Sequence, residues 1–198
     1  MLSRSDGEVL VLPTAAAYEH PERAVAFAER WFAGLGGRAR GLMVLNRQDA
    51  ERQDNADAVR AASFLYLSGG SPLHLRSVLK GSLVWQALVD AWLSGAILAG
   101  SSAGAMVLTD PMVDPRGGAF TVGLGLIEQL AVIAHHDDPA AAHVRRTLSM
   151  SPAGLPVAGI PERTALIREP DGTWREAGVG KVAIYLDGQR AGLSALPS

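Results

Sequence analysis

Short apolar runs alternate with helix-like segments through the first hundred residues. Four runs are typical of buried strands, at residues 8–13, 41–45, 63–67 and 96–99. Between them the apolar positions recur every three to four residues, which predicts helices at 21–35, 54–62, 72–79 and 82–94. Strands that alternate with helices in this way predict an α/β fold, with a mostly parallel sheet covered by helices on both faces.

The pattern changes after residue 108. Residues 109–118 are loop-like, and a strand at 130–134 and a helix at 139–150 follow. Short strand-like runs then occur at 157–160, 164–168, 173–177 and 182–186. Asp171-Gly172 and Asp187-Gly188 are typical of hairpin turns. We therefore expect C-terminal antiparallel strands added to the parallel sheet. Because no linker-like stretch separates the two regions, we interpret residues 1–198 as a single domain.

Composition excludes several classes of function. The net charge is −2, so no broad basic surface favours nucleic acid or a membrane as a partner. The chain has no cysteine, which excludes disulfides, thiolate metal sites and a cysteine nucleophile. No signal-peptide pattern and no membrane-spanning apolar run is present. We expect a cytoplasmic protein that needs no cofactor.

A serine lies where the fourth predicted strand passes into a helix. Residues 100–104 read Gly-Ser-Ser-Ala-Gly and match the pattern G-x-S-x-G. Between a buried strand and a helix, this pattern predicts a sharp turn that lifts the hydroxyl of Ser102 into a crevice. The small neighbours let backbone pack on backbone. The alternative interpretation is an ordinary tight strand-to-helix connection.

A pair of glycines follows the third predicted strand, at the equivalent edge of the sheet. Gly69 and Gly70 precede a predicted helix and expose backbone N–H groups there. Together with the amide of Ala103 they could form an oxyanion hole. We expect Gly69 and Ser71 to line the substrate-binding site. A flexible loop is the alternative.

A serine nucleophile needs a base, and two adjacent histidines are candidates. His135 and His136 follow the predicted strand at 130–134 and lie at the edge where Ser102 should emerge. Asp137 and Asp138 come next, so a metal-binding or merely polar loop is the alternative.

A third group should hold the imidazole in one tautomer. The candidates for this acid are Glu162, which lies just past the predicted strand at 157–160, and Asp110, Asp114 and Asp137. The residues alone do not choose among them.

Four segments together resemble one family of serine peptidases. They read YLSGGSPLHL at 66–75, AILAGSSAGAMVL at 96–108, GLGLIEQLAVIAHHD at 123–137 and GIPERTALI at 159–167. In this order they resemble the family that contains aspartyl dipeptidase (dipeptidase E) and cyanophycinase. The resemblance implies a flavodoxin-like fold of the class I glutamine amidotransferase type, with serine in place of cysteine.

The resemblance also implies roles for individual residues. Ser102 would be the nucleophile, the amides of Gly70 and Ala103 the oxyanion hole, and His135 the base, with His136 as the alternate. Cyanophycinase-like members carry the acid in a segment that matches 159–165, which favours Glu162.

Dipeptidase-like members instead carry the acid in the loop after the nucleophile helix, which would match Asp110 or Asp114. This sequence departs from the family pattern at Pro161, where aspartate is usual, and at Ser71, where asparagine is usual. These departures concern substrate specificity more than the nucleophile.

We therefore expect a serine hydrolase that cleaves small peptides or isopeptides through an acyl-enzyme. Two alternatives remain. One is an amidotransferase-like binding or regulatory protein without catalysis. The other is an α/β-hydrolase esterase, with Asp110 or Asp114 as the acid ahead of the histidine. The C-terminal strand edges could also pair two chains into a homodimer.

Overall fold

The computed structural model describes residues 7–197. Contacts between residues divide the chain into two compact units, one up to Ala105 and one from Met106 onward. Among the described residues, the first unit contains one four-stranded sheet, and the second contains one four-stranded sheet and three two-stranded sheets.

The first unit is built on four parallel strands. They are β1 (Glu8–Leu12), β2 (Arg38–Gly41), β3 (Phe64–Leu67) and β4 (Ile97–Gly100). The spatial order is β2-β1-β3-β4, and every neighbouring pair is parallel. The predicted mostly parallel α/β sheet is confirmed. Because the order reverses between β1 and β3, their carboxyl ends border the crevice where ligands bind in such sheets.

Six helices accompany these strands. They are α1 (Pro21–Gly34), α2 (Arg47–Ala50), α3 (Gln53–Arg60), α4 (Pro72–Leu79), α5 (Leu83–Leu93) and α6 (Ala103–Val107). Phe32 of α1 packs with Val9, Val11 and Phe64 in a hydrophobic cluster. The prediction missed α2, although its sequence carries a signal: Asn46 and Asp49 form a reciprocal capping box.

The prediction of β2 at residues 41–45 was wrong, because the strand ends at Gly41. β2 is an edge strand that pairs only with β1, and it exposes Arg38 and Arg40. An edge strand with one solvated face needs no continuous apolar run. Of the apolar residues that follow, Val44 is buried from a loop, whereas Met43 is 44% exposed.

Among the described residues, the second unit contains ten short strands, one α-helix and a short 3₁₀-helix at Leu193–Ala195. The strands are β5 (Thr109–Asp110), β6 (Met112–Val113), β7 (Phe120–Thr121), β8 (Ile127–Glu128), β9 (Ala131–Ala134), β10 (Val157–Ile160), β11 (Thr164–Arg168), β12 (Trp174–Gly178), β13 (Ala183–Leu186) and β14 (Gln189–Ala191). The helix is α7 (Ala142–Ser149). Two short strands, β5 and β6, lie in the segment predicted to be a loop.

The main sheet of this unit has the order β14-β13-β10-β9. β9 and β10 are parallel, whereas β13 pairs antiparallel with both β10 and β14. β11 and β12 form the predicted hairpin. The antiparallel C-terminal strands are therefore confirmed.

The helix predicted from residue 139 begins only at Ala142. Asp138 holds the preceding segment in a turn, because its carboxylate accepts a hydrogen bond from the amide of Ala140. Its carbonyl accepts another from the amide of Ala141. Within residues 7–197, no helix combines the length and the apolar character that crossing a bilayer requires.

Candidate active site

Ser102 lies at a sharp turn between β4 and α6. Its backbone is left-handed, with φ of 49°. A non-glycine residue in this region costs roughly 1 to 3 kcal/mol and persists only where its surroundings fix it. Three backbone hydrogen bonds hold this turn. Ser101 donates to Leu67 at 3.1 Å, Gly104 donates to Ser101 at 2.8 Å, and Ala105 donates to Ser102 at 3.1 Å. The turn has the geometry that the G-x-S-x-G pattern predicts.

The two glycines of the pattern are required by close backbone packing. A Cβ on Gly100 would lie 2.7 Å from the backbone nitrogen of Ala105 and closer still to the carbonyl of Gly104. A Cβ on Gly104 would lie 2.8 Å from the carbonyl carbon of Leu67. Any side chain at either position would push α6 away from the strands.

The glycine pair after β3 lies beside Ser102. A Cβ on Gly69 would lie 3.3 Å from the Cβ of Ser102 and 3.8 Å from its Oγ. Gly70 has φ of 136° and lies against the backbone of Ala15, with a hypothetical Cβ 2.8 Å from the nitrogen of Ala16. Only glycine fits there.

Two amides near the serine are available to a ligand. Within residues 7–197, neither the N–H of Gly70 nor that of Ala103 donates a hydrogen bond. The hydroxyl of Ser71 accepts a hydrogen bond from the amide of His74 at 3.2 Å and so caps α4. The side chain of Ser71 therefore acts as a helix cap, whereas the sequence had led us to expect it to line the substrate-binding site.

In the second unit, His135 and Glu162 form a hydrogen-bonded pair. Nδ1 of His135 contacts Oε1 of Glu162, and the two side chains are 60% and 61% exposed. Parallel pairing explains their meeting, because Ala134 of β9 lies opposite Ile160 of β10 and both strands end there. The amide of Glu162 also donates to the carboxylate of Asp137 at 3.1 Å.

His136 has a different environment. Only 4% of it is exposed, and its Nε2 is hydrogen-bonded to the hydroxyl of Tyr185 at 3.0 Å. Burial, and secondarily the positive charge of Arg190, lower the pKa of His136. The structure thus brings His135, and not the alternate His136, to Glu162. Sequence reasoning missed Tyr185, because its partner lies 49 residues away.

The alternate acids have other partners. Asp110 accepts a hydrogen bond from the amide of Gly123 at 2.9 Å, and Asp114 forms an ion pair with Arg116 at 2.6 Å. Among the described residues, no group of three or more acidic or histidine side chains is arranged to hold a metal ion.

Comparison with known proteins identifies the family. A sequence model of peptidase family S51 matches residues 1–174. The chain belongs to peptidase family S51. Membership confirms the resemblance stated from the four segments.

Two cyanophycinases illustrate its relatives in this family. The cyanophycinase of Synechococcus elongatus is 29% identical over 191 residues, which cover 90% of this chain and 58% of the relative. That of Trichormus variabilis is 30% identical over 154 residues, 72% of this chain and 51% of the relative. The chain thus spans little more than half the length of these curated relatives.

Solved structures agree with the fold of this S51 chain. A peptidase from an acI-B1 Actinobacterium has a TM-score of 0.81 and 32% identity, covering 94% of this chain and 80% of that one. A putative peptidase E protein from Listeria monocytogenes has a TM-score of 0.67 at 17% identity, covering 89% and 88%. The second likeness supports the fold alone.

Proposed function

We propose that this chain hydrolyses small peptides or isopeptides through Ser102, His135 and Glu162. The hydrogen bond between His135 and Glu162 is the observation that carries the proposal. A carboxylate on Nδ1 holds the imidazole in the tautomer whose Nε2 can accept a proton. Such a pair is the base and orienter that a serine nucleophile requires.

The reaction would run through an acyl-enzyme. Oγ of Ser102 attacks the substrate carbonyl while its proton passes to Nε2 of His135. The amides of Gly70 and Ala103 stabilise the oxyanion. The C–N bond then breaks as the imidazolium returns its proton to the leaving amine. Water, deprotonated by the same imidazole, hydrolyses the ester and restores the serine.

The relatives support a proposal for the substrate class. Two of them are cyanophycinases, so we propose peptides with an aspartyl or β-aspartyl residue at the cleaved bond. Two positions depart from the family pattern, because Ser71 caps a helix and Pro161 replaces the usual aspartate. We therefore expect the preference among such peptides to differ from that of these relatives.

The test uses two neighbouring serines as a matched pair. Wild type, Ser102→Ala and Ser101→Ala are assayed on Asp-X dipeptides and β-aspartyl dipeptides, and each is incubated with a fluorophosphonate probe. We expect wild type and Ser101→Ala to hydrolyse and label. Ser102→Ala should lose labelling and roughly four or more orders of magnitude of kcat.

Three outcomes would contradict the proposal. Labelling that persists in Ser102→Ala rejects this residue as the nucleophile. A folded wild type that neither labels nor hydrolyses any peptide rejects catalysis and favours the binding or regulatory alternative. Turnover of p-nitrophenyl esters without peptide cleavage would favour an esterase.

A further inference from the structure

The residue that follows His135 is anchored in the interior of the second unit. The amide of His136 donates to the carbonyl of Ile160 at 3.0 Å, directly beyond the last paired residues of β9 and β10. Its ring lies over Gly159, where a Cβ would come within 2.5 Å of the imidazole carbons. Its Nε2 bonds to the Tyr185 hydroxyl at 3.0 Å. Backbone and side chain are therefore both fixed.

His135 itself has a strained backbone. Its φ is 55°, in the left-handed region. Left-handed geometry costs roughly 1 to 3 kcal/mol, so the backbone of His135 would relax if its flanking residues were not held in place. Such relaxation would move the exposed imidazole away from Glu162. Before it, Ala134 is held by strand pairing with β10. After it, the anchor is His136.

Tyr185 is the residue that fixes the ring of His136. It is 8% exposed and lies in β13, opposite Val157 of the neighbouring β10. The guanidinium of Arg190 lies over its ring, 5.2 Å from the ring centroid. A buried hydroxyl and a buried imidazole satisfy each other here, and loss of either would leave an unpaired polar group.

We propose that His136 and Tyr185 are positioning residues that hold the imidazole of His135 against Glu162. This inference rests on the proposed function of His135. It assigns the second histidine a task other than proton transfer. Neither residue needs to touch the substrate.

The test removes one hydroxyl and follows the His135–Glu162 bond directly. In proton NMR, an Nδ1–H bonded to a carboxylate gives a far-downfield resonance, assigned here by its absence in His135→Gln. In Tyr185→Phe we expect this resonance to broaden or vanish. We also expect kcat to fall roughly ten- to a hundredfold at nearly constant KM, as for a catalytic group displaced by an ångström.

The control is Tyr66→Phe, which deletes a hydroxyl from the first unit and should change neither readout. A Tyr185→Phe enzyme that has the wild-type resonance and kcat, with only a lowered melting temperature, overturns the proposal. The resonance needs no substrate. A wild type without peptidase activity would therefore reject the proposed function and leave the positioning test intact.

A second pair of variants covers the case in which Tyr185→Phe does not fold. Glutamine and methionine are nearly isosteric, but glutamine can form a strong hydrogen bond to the tyrosine hydroxyl, whereas the methionine thioether is only a weak acceptor. We expect His136→Gln to retain more of the resonance and of kcat than His136→Met. Equal values in the two variants would overturn the proposal.

Discussion

Replacing Gly100 with alanine would insert a methyl group into the backbone of α6. The new Cβ would lie 2.7 Å from the nitrogen of Ala105 and closer still to the carbonyl of Gly104, whereas ordinary contact begins at 3.4 Å, so strand and helix must separate by at least about 0.7 Å. The neighbours are backbone atoms and cannot change rotamer. We therefore expect a loss at the upper end of the overpacking range, about 3 kcal/mol. That loss corresponds to roughly 6–12 °C in Tm for a chain of this size.

Thermal and urea unfolding, followed by circular dichroism, would measure this loss. Gly34→Ala is the matched control, because a Cβ on Gly34, the last residue of α1, meets nothing within 4 Å. Alanine there should leave Tm unchanged or raise it, since it is the better helix former. The displaced turn should also slow fluorophosphonate labelling of Ser102 by about tenfold or more. A Gly100→Ala protein with wild-type Tm and labelling rate would refute the packing argument.

Three further changes are expected to be measurable. Glu162→Gln should lower kcat by up to roughly four orders of magnitude, because a neutral amide no longer fixes the tautomer of His135. The control, Asp114→Asn, should retain most of kcat. Equal losses in the two variants would contradict the choice of Glu162 as the acid. Ser82→Ala should cost about 1 kcal/mol in urea unfolding, because its hydroxyl caps α5 by accepting from Trp85 at 3.0 Å; an unchanged midpoint would count against the cap. Because the pKa of His136 is lowered from 6.5, the unfolded chain binds more protons than the folded one just below that pH. Stability should therefore fall as the pH drops from about 7 to about 5, and less steeply in His136→Gln; parallel curves would contradict this assignment.

Elements with local signals were predictable from sequence. α4 matches its predicted bounds, 72–79, because Ser71 caps it, proline begins it and apolar positions recur at helical spacing. Strands β10 and β11 also match their predicted bounds. β2 and the start of α7 were misplaced, since an edge strand needs few apolar residues and the turn at Asp138 depends on one side-chain hydrogen bond.

The candidate site also has one part that was predictable from sequence and one part that was not. The turn at Ser102 was predictable because the small residues that permit it are adjacent in sequence. The pairing of His135 with Glu162 could not be derived from spacing, because it depends on the register that places Ala134 opposite Ile160. Nor could sequence alone separate two adjacent histidines. Their difference is set by Tyr185, which lies on another strand.

Backbone strain links the two candidate catalytic residues. Ser102 and His135 both have left-handed φ. Ser102 comes two residues after the end of β4, and His135 comes directly after the end of β9. Strain of this kind persists only where the surroundings fix it, and it concentrates at functional sites. Left-handed Asp187 has an ordinary explanation in its Asp-Gly turn, and His20 stands at the start of α1. Ser102 lies in no such turn motif, and serine has little intrinsic preference for left-handed φ. Its conformation is maintained by two glycines and by close contact with β3, which is the expected cost of presenting a hydroxyl at the end of a strand.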